Sequence, residues 1–312
     1  MKKLLITGGL GYIGTAMIRH FRNKYDIIVV DSLRYNQYKA VYPILDGIEF
    51  VHGDVRDSSL LAPLVESADI IFPLAALVGA PLCEKCPTEC LEVNLRAVED
   101  LLKLAQHDQI IVFPNTNSGY GDAGGKLCTE ETPLKAISLY GDTKDRAEQA
   151  VLKYHNSVVF RLATVFGYAP RMRTDLLVNT LVKDAVYMGG ITVFDDAYMR
   201  NYIHIKDICR AFDFAVESID NMRGQVYNLG NDKVNMTKGD LALTIRKYIP
   251  YLPVVTSLNK TDPDKRNYLV SSAKLYGLGW KPKYSLDDGI EELIHYYKHG
   301  YDPLQQGIMS NV

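Results

Sequence analysis

Tyr140 and Lys144 stand four residues apart in the stretch Tyr140-Gly-Asp-Thr-Lys144. On a helix that spacing places both side chains on one face, one turn apart. A phenol beside a fixed cation ionises more readily, so the lysine is expected to draw the tyrosine pKa down towards the working pH. A phenolate held in this way can accept the proton of a substrate hydroxyl. Thr116, upstream, adds a hydroxyl that can orient the same reacting group. Tyr-x3-Lys also arises by chance, so the surrounding elements must supply the context.

They begin at the N-terminus. Lys2 to Ile6 is a short apolar run, followed by Thr7-Gly-Gly-Leu-Gly-Tyr-Ile-Gly14 and a helical stretch to about Asn23. Strand, glycine turn and helix in that order form the setting of a dinucleotide fingerprint. Glycines at 8, 11 and 14 allow a tight turn, close approach of backbone to a pyrophosphate, and close helix-to-sheet packing. The phosphates belong at the helix N-terminus, beside Gly8, Gly11, Tyr12, Ile13 and Gly14. Ile27 to Val30 reads as the second strand and ends at Asp31, twenty residues beyond Gly11. A carboxylate there accepts both ribose hydroxyls of an adenosine and repels a 2′-phosphate, which points to NAD rather than NADP. Arg34 stands close by and pulls against that preference.

Strand signals continue at 48–51, leading to Asp54-Val55 at the adenine edge, and at 68–73, opening into Leu74-Ala75-Ala76. Small residues at a strand's C-terminal end let a cofactor lie against the backbone. Glu89 to Ala105 has helical periodicity, and Gln109 to Phe113 reads as a strand running into Thr116. Alternating strands and helices predict an α/β fold, a Rossmann-type doubly wound parallel sheet with ligands beyond its carboxyl edge.

Bulk properties exclude other classes. The 312 residues suffice for a large core, and a net charge of −2 gives no hint of nucleic acid. Five cysteines, an odd number, read as reduced thiols of a cytoplasmic protein. Cys83, Cys86 and Cys90 lack a second pair at zinc spacing and read as helix-start packing rather than a metal site. No apolar run approaches a membrane span, and the glycines at 8 to 14 rule out reading the N-terminus as a signal peptide.

With the Gly8 loop, Asp31, Asp54-Val55, Thr116 with Tyr120-Gly121, and Tyr140/Lys144 in order, the chain resembles the extended short-chain dehydrogenase/reductases that act on nucleotide sugars. The resemblance spans essentially the whole sequence. It implies that Tyr140 is the base, that Thr116 hydrogen-bonds the reacting hydroxyl, and that Lys144 holds the nicotinamide ribose. It also implies substrate contacts at Ser118, Asn179, Arg200 and, more weakly, Arg266, with Arg171 and Arg173 near the sugar and phosphates. The NAD-binding domain is expected over 1–167 with 201–231 returning to it, and a smaller nucleotide-sugar-binding domain over 168–200 and 232–312. Family members often dimerise through helices near 90–105 and 140–154, so a homodimer is expected.

The same resemblance narrows the reaction. Dehydratases of this kind place Asp-Glu directly after the threonine, whereas Asn117 and Ser118 stand here, and neither can supply that proton transfer at neutral pH. The Cys of the 3,5-epimerase/reductases is also replaced by Ser118. C4 oxidation, C4 epimerisation or 4-keto reduction remain. Pro73 to Cys83, Pro114 to Gly121 and Ala163 to Arg173 further resemble the bacterial GDP-D-glycero-α-D-manno-heptose 4-dehydrogenases of capsule biosynthesis. That implies a 4-keto nucleotide heptose as product and a tightly held NAD.

Overall fold

Seven short runs, rich in Ile, Val, Leu and Phe, have apolar residues on both alternating faces, and a strand of that kind must be covered on both sides. In the computed structural model, which describes residues 1–257, 266–302 and 309–311, these runs form one sheet. The strands are β1 (Lys3–Thr7), β2 (Asp26–Asp31), β3 (Glu49–His52), β4 (Ile70–Pro73), β5 (Ile110–Thr116), β6 (Ser157–Leu162) and β7 (Gln225–Leu229). Their order is β7-β6-β5-β4-β1-β2-β3, and every neighbouring pair is parallel. The expected Rossmann-type sheet is therefore present.

Alternation along each strand sorts the core into two layers. Leu4 and Ile6 of β1 face Met17 and Phe21 of α1 (Tyr12–Phe21), within a cluster that also holds Phe72 and Phe160. Leu5, between them, faces the opposite layer, with Leu61, Leu101, Ala147 and Val151. Those four come from α2 (Ser58–Ser67), α3 (Ala97–Leu104) and α4 (Leu139–Val151). A separate core joins α5 (Leu177–Tyr187) to a C-terminal helix, through Leu181, Val182, Ile290 and Leu293. That helix, α7 (Leu286–His299), follows α6 (Ile205–Glu217) in the chain. Smaller sheets pair 164–166 with 202–204 and 199–201 with 235–237, 191–193 with 254–256, and 122–128 with 267–270. Among the described residues no helix is long and apolar enough to cross a membrane.

The expected continuous helix over 89–105 is interrupted. Residues Pro87–Leu91 are α-helical, Glu92–Arg96 form a π turn, and α3 resumes at Ala97. The widened turn brings Asn94 inward, where it is 1% exposed. Its amide accepts from Leu77 N at 2.8 Å and donates to Leu77 O at 2.9 Å. Cys83 and Cys90 are buried against Leu77 and Val93 in the same cluster, and Cys86 is only partly covered.

Behind the sheet's carboxyl edge lies a buried ion pair. Glu148 of α4 accepts from Arg161 of β6 through Nε at 3.1 Å and Nη2 at 2.6 Å. Their side chains are 0% and 6% exposed. Asn115 of β5 donates to the same carboxylate at 2.6 Å. Breaking a buried pair strands a charge, so Arg161→Leu is expected to lower urea-unfolding stability by about 3–5 kcal/mol. The double change with Glu148→Leu is expected to cost less than the single one.

Candidate active site

One cleft of about 640 Å³ runs along the carboxyl edge of the sheet and collects nearly every residue singled out above. Its floor is the glycine loop. Gly8 adopts φ +66°, and a Cβ there would lie 2.6 Å from Ala75 Cα, so only glycine permits the loop and the 74–79 segment to meet. Gly14 has the same restriction against Gly9, whose carbonyl oxygen would lie 2.4 Å from a Cβ. Gly11 is the N-cap of α1 and supplies no side chain to satisfy the first-turn N–H groups. They face the cleft as an anion site, which fits a dinucleotide pyrophosphate.

The adenosine end is built around Asp31, at the end of β2. Its carboxylate accepts from Leu10 N at 3.0 Å, Leu33 N at 2.8 Å and Gln37 Nε2 at 3.2 Å. Burial pushes its pKa up, and the two backbone bonds oppose that. A carboxylate offers about four acceptor sites, so capacity remains for a ribose hydroxyl. Arg34, placed beside Asp31 by the sequence, is ion-paired with Glu89. Asp54 and Val55 line the same end, with Asp54 held by Arg56 at 2.7 Å. Leu74, Ala75 and Ala76 form the opposite wall, in a segment that Asn94 fixes through Leu77.

Thr116, Tyr140 and Lys144 meet at the other end. Thr116 closes β5 and caps a short turn, its Oγ1 accepting from Ser118 N at 3.1 Å and lying 2.8 Å from Ser118 Oγ. Ser138 caps α4 through Gly141 N and starts the helix that presents Tyr140 and Lys144 one turn apart. Lys144, expected to lower the tyrosine pKa, is not among the main influences on it. Burial pushes the Tyr140 phenol up to about 12, opposed by Arg173, Arg266 and a hydrogen bond with Thr116. Lys144 Nζ instead lies over the Phe113 ring, 3.9 Å from its centre. Burial pushes its ammonium down to about 7, against the pull of Asp145 and Glu148. Low polarity dominates the local charges at both groups.

Arginines converge on this end. Arg173 lines the cleft and is paired with Asp175, through Nε at 3.0 Å and a second bond at 2.5 Å. Arg200 is 3% exposed and donates to the carbonyls of Met199 and Arg266. Arg266 donates to Ser118 Oγ. These side chains, with Ser118, surround the Tyr140 end of the cleft, a setting for an anionic ligand.

Two expectations change. Asn179 is not on the cleft wall as a diphosphate contact. It is fully buried, accepting from Gly167 N at 3.1 Å and donating to Arg173 O at 2.9 Å and the Tyr12 hydroxyl at 3.4 Å. Its amide braces the loop that carries Arg173. Arg171 is not confined to the sugar end: near Arg173, it also lies by Tyr35 and Asp31.

Sequence reasoning missed Asn94 and Gln37. Asn94 is a polar residue between Val93 and Leu95, and that isolation was the available signal; Gln37, between Asn36 and Tyr38, offered none. Tyr12 was expected beside the phosphates. Its hydroxyl also donates to Gly167 O at 2.6 Å, fastening the glycine loop to the other half of the chain.

Comparison with known proteins agrees with this geometry. A Low-salt glycan biosynthesis protein, Agl12, from Haloferax volcanii is 27% identical over 309 residues, covering 94% of this chain and 98% of its own. A UDP-glucose 4-epimerase from Halalkalibacterium halodurans is 28% identical, covering 96% of this chain and 97% of its own. The crystal structure of dTDP-glucose 4,6-dehydratase from Bacillus anthracis in complex with NAD superposes with a TM-score of 0.83 at 25% identity, over 96% of this chain and 97% of the other. Residues 4–230 match the NAD dependent epimerase/dehydratase family. The chain belongs to that family of enzymes, and NAD is its cofactor.

Proposed function

We propose that the protein oxidises C4 of a nucleotide-activated sugar to a 4-keto sugar, with a GDP-heptose of capsule biosynthesis as the preferred substrate. The observation that carries the reaction is the meeting of Thr116 and Tyr140 under Arg173 and Arg266, with Asn117 and Ser118 where a dehydratase needs an acid and a base. In this reading Tyr140 takes the proton of the C4 hydroxyl, and Thr116 holds that hydroxyl against the phenol. Lys144 orients the nicotinamide ribose. Arg173, Arg200 and Arg266 carry the diphosphate, and Ser118 the sugar. NAD, when bound, accepts the hydride from the same carbon. The heptose rests on the resemblance of residues 73–83, 114–121 and 163–173, and a homodimer through the helices near 90–105 and 140–154 belongs to the same proposal.

A second reading has support of its own. The likeness to a UDP-glucose 4-epimerase favours a 4-epimerase, in which the ketone turns over and hydride returns on its other face. Thr116, Tyr140 and Lys144 would serve both reactions. Incubation with a panel of GDP-, UDP-, CDP- and dTDP-sugars, followed by NMR, separates them. A keto or hydrated-keto sugar with NADH formed supports oxidation, and an epimer without net cofactor change supports epimerisation. No turnover of any nucleotide sugar would overturn both.

Tyr140→Phe is expected to lower turnover by about 100-fold or more, the size of a lost general base, while NAD stays bound. Because burial raises the phenol to about 12, it keeps its proton at neutral pH. Oxidation should therefore speed up as pH rises from about 7 to 9, and Tyr140→Phe should flatten that profile. Asp31→Ala is expected to weaken NAD by about tenfold in a binding titration and to relax the discrimination against NADP.

A further inference from the structure

Arg171 carries two buried nitrogens, Nε and Nη2, that make no hydrogen bond. The residue is only 2% exposed, yet it lines the cleft. A guanidinium keeps its charge at any working pH, and a buried charge without a partner is strongly unfavourable. Burial and the neighbouring Arg173 push its pKa down to about 10, which still leaves it charged. Such a group calls for an anion.

Its position says which one. The Arg171 N–H is bonded to the Thr15 hydroxyl in α1 at 3.2 Å, so its backbone lies along the helix whose N-terminus faces the cleft. The guanidinium is 4.7 Å from the centre of the Tyr35 ring and feels Asp31. It therefore stands between the anion site of the glycine loop and the carboxylate at the ribose. Asp31 already accepts three hydrogen bonds. The charges that act on Tyr140 are those of Arg173 and Arg266, with Arg171 not among the main ones. A diphosphate occurs in the cofactor and in a nucleotide sugar alike, and this placement favours the cofactor.

We propose that Arg171 is a ligand of the cofactor pyrophosphate. The residue comes from the segment after β6, so the cofactor is gripped by both halves of the chain. The inference rests on NAD binding and not on which sugar is oxidised.

The test uses the full chain freed of cofactor, with Arg171→Met and Arg171→Lys. Calorimetry with NAD, ADP, adenosine, GDP and UDP gives the affinities. Arg171→Met is expected to weaken NAD and ADP by about 10- to 100-fold, as for lost bonds to a charged partner, and to leave adenosine unchanged. Arg171→Lys should fall between, since an ammonium lacks the planar fork. The cofactor-free Met variant should melt at a higher temperature than the parent, because an unpaired buried charge has gone, while its gain on adding NAD shrinks. Unchanged affinity for NAD and ADP in both variants would overturn the proposal. So would a loss confined to GDP and UDP, or an equal loss for adenosine.

Discussion

The carboxylate of Glu148 is the point on which the catalytic end is assembled. It receives Arg161 from β6 and Asn115 from β5 while riding on the helix that carries Tyr140 and Lys144. Three elements that are distant in sequence thereby share one buried anion. Such a pair adds little net stability over an apolar replacement, but it tolerates only one arrangement of its partners. Thr116 is the neighbour of Asn115, and Lys144 sits one helical turn before Glu148. The spacing between hydroxyl, phenol and amine therefore follows from a contact none of them makes.

Electrostatics along the cleft are set by the same low polarity. A phenol pushed up to about 12 and an amine pushed down to about 7 are both groups driven towards neutrality by burial. Arg171, Arg173, Arg200 and Arg266 keep positive charge in that environment, which an overall charge of −2 conceals. Asp175 answers Arg173, and a polyanionic cofactor and substrate suit the positive charge along this edge. Burial works against the charge on the lysine, which Asp145 and Glu148 support.

What could be read from the sequence was what depends on local pattern. Glycines at 8, 11 and 14 between a strand and a helix, a carboxylate at the end of the second strand, and a tyrosine four residues before a lysine are near-neighbour relations. The parallel pairing of the sheet follows from alternating strands and helices. The remainder depends on contacts between distant segments. The π turn at 92–96 exists because Asn94 turns in to hold Leu77, seventeen residues earlier. Asn179 braces Gly167 and the Arg173 carbonyl instead of meeting ligand, which no spacing rule reveals. Arg171 and Arg173 are two residues apart, yet Arg171 stacks on Tyr35 and feels Asp31 while Arg173 pairs with Asp175 and acts on Tyr140. The main influence on the tyrosine is desolvation rather than Lys144, a property of the folded surroundings alone.

The ion pair between Arg34 and Glu89 bears on how this enzyme could be redesigned. Arg34, three residues beyond Asp31, is a cation at the ribose end that an added phosphate would need, but a neighbouring acid already occupies it. Re-engineering towards the phosphorylated dinucleotide would then call for two edits in concert, one withdrawing the repelling carboxylate at 31 and one neutralising Glu89 to release the guanidinium. Evolution crossing between the two coenzymes along this lineage would meet the same two-step barrier, with the intermediate sequence serving neither well.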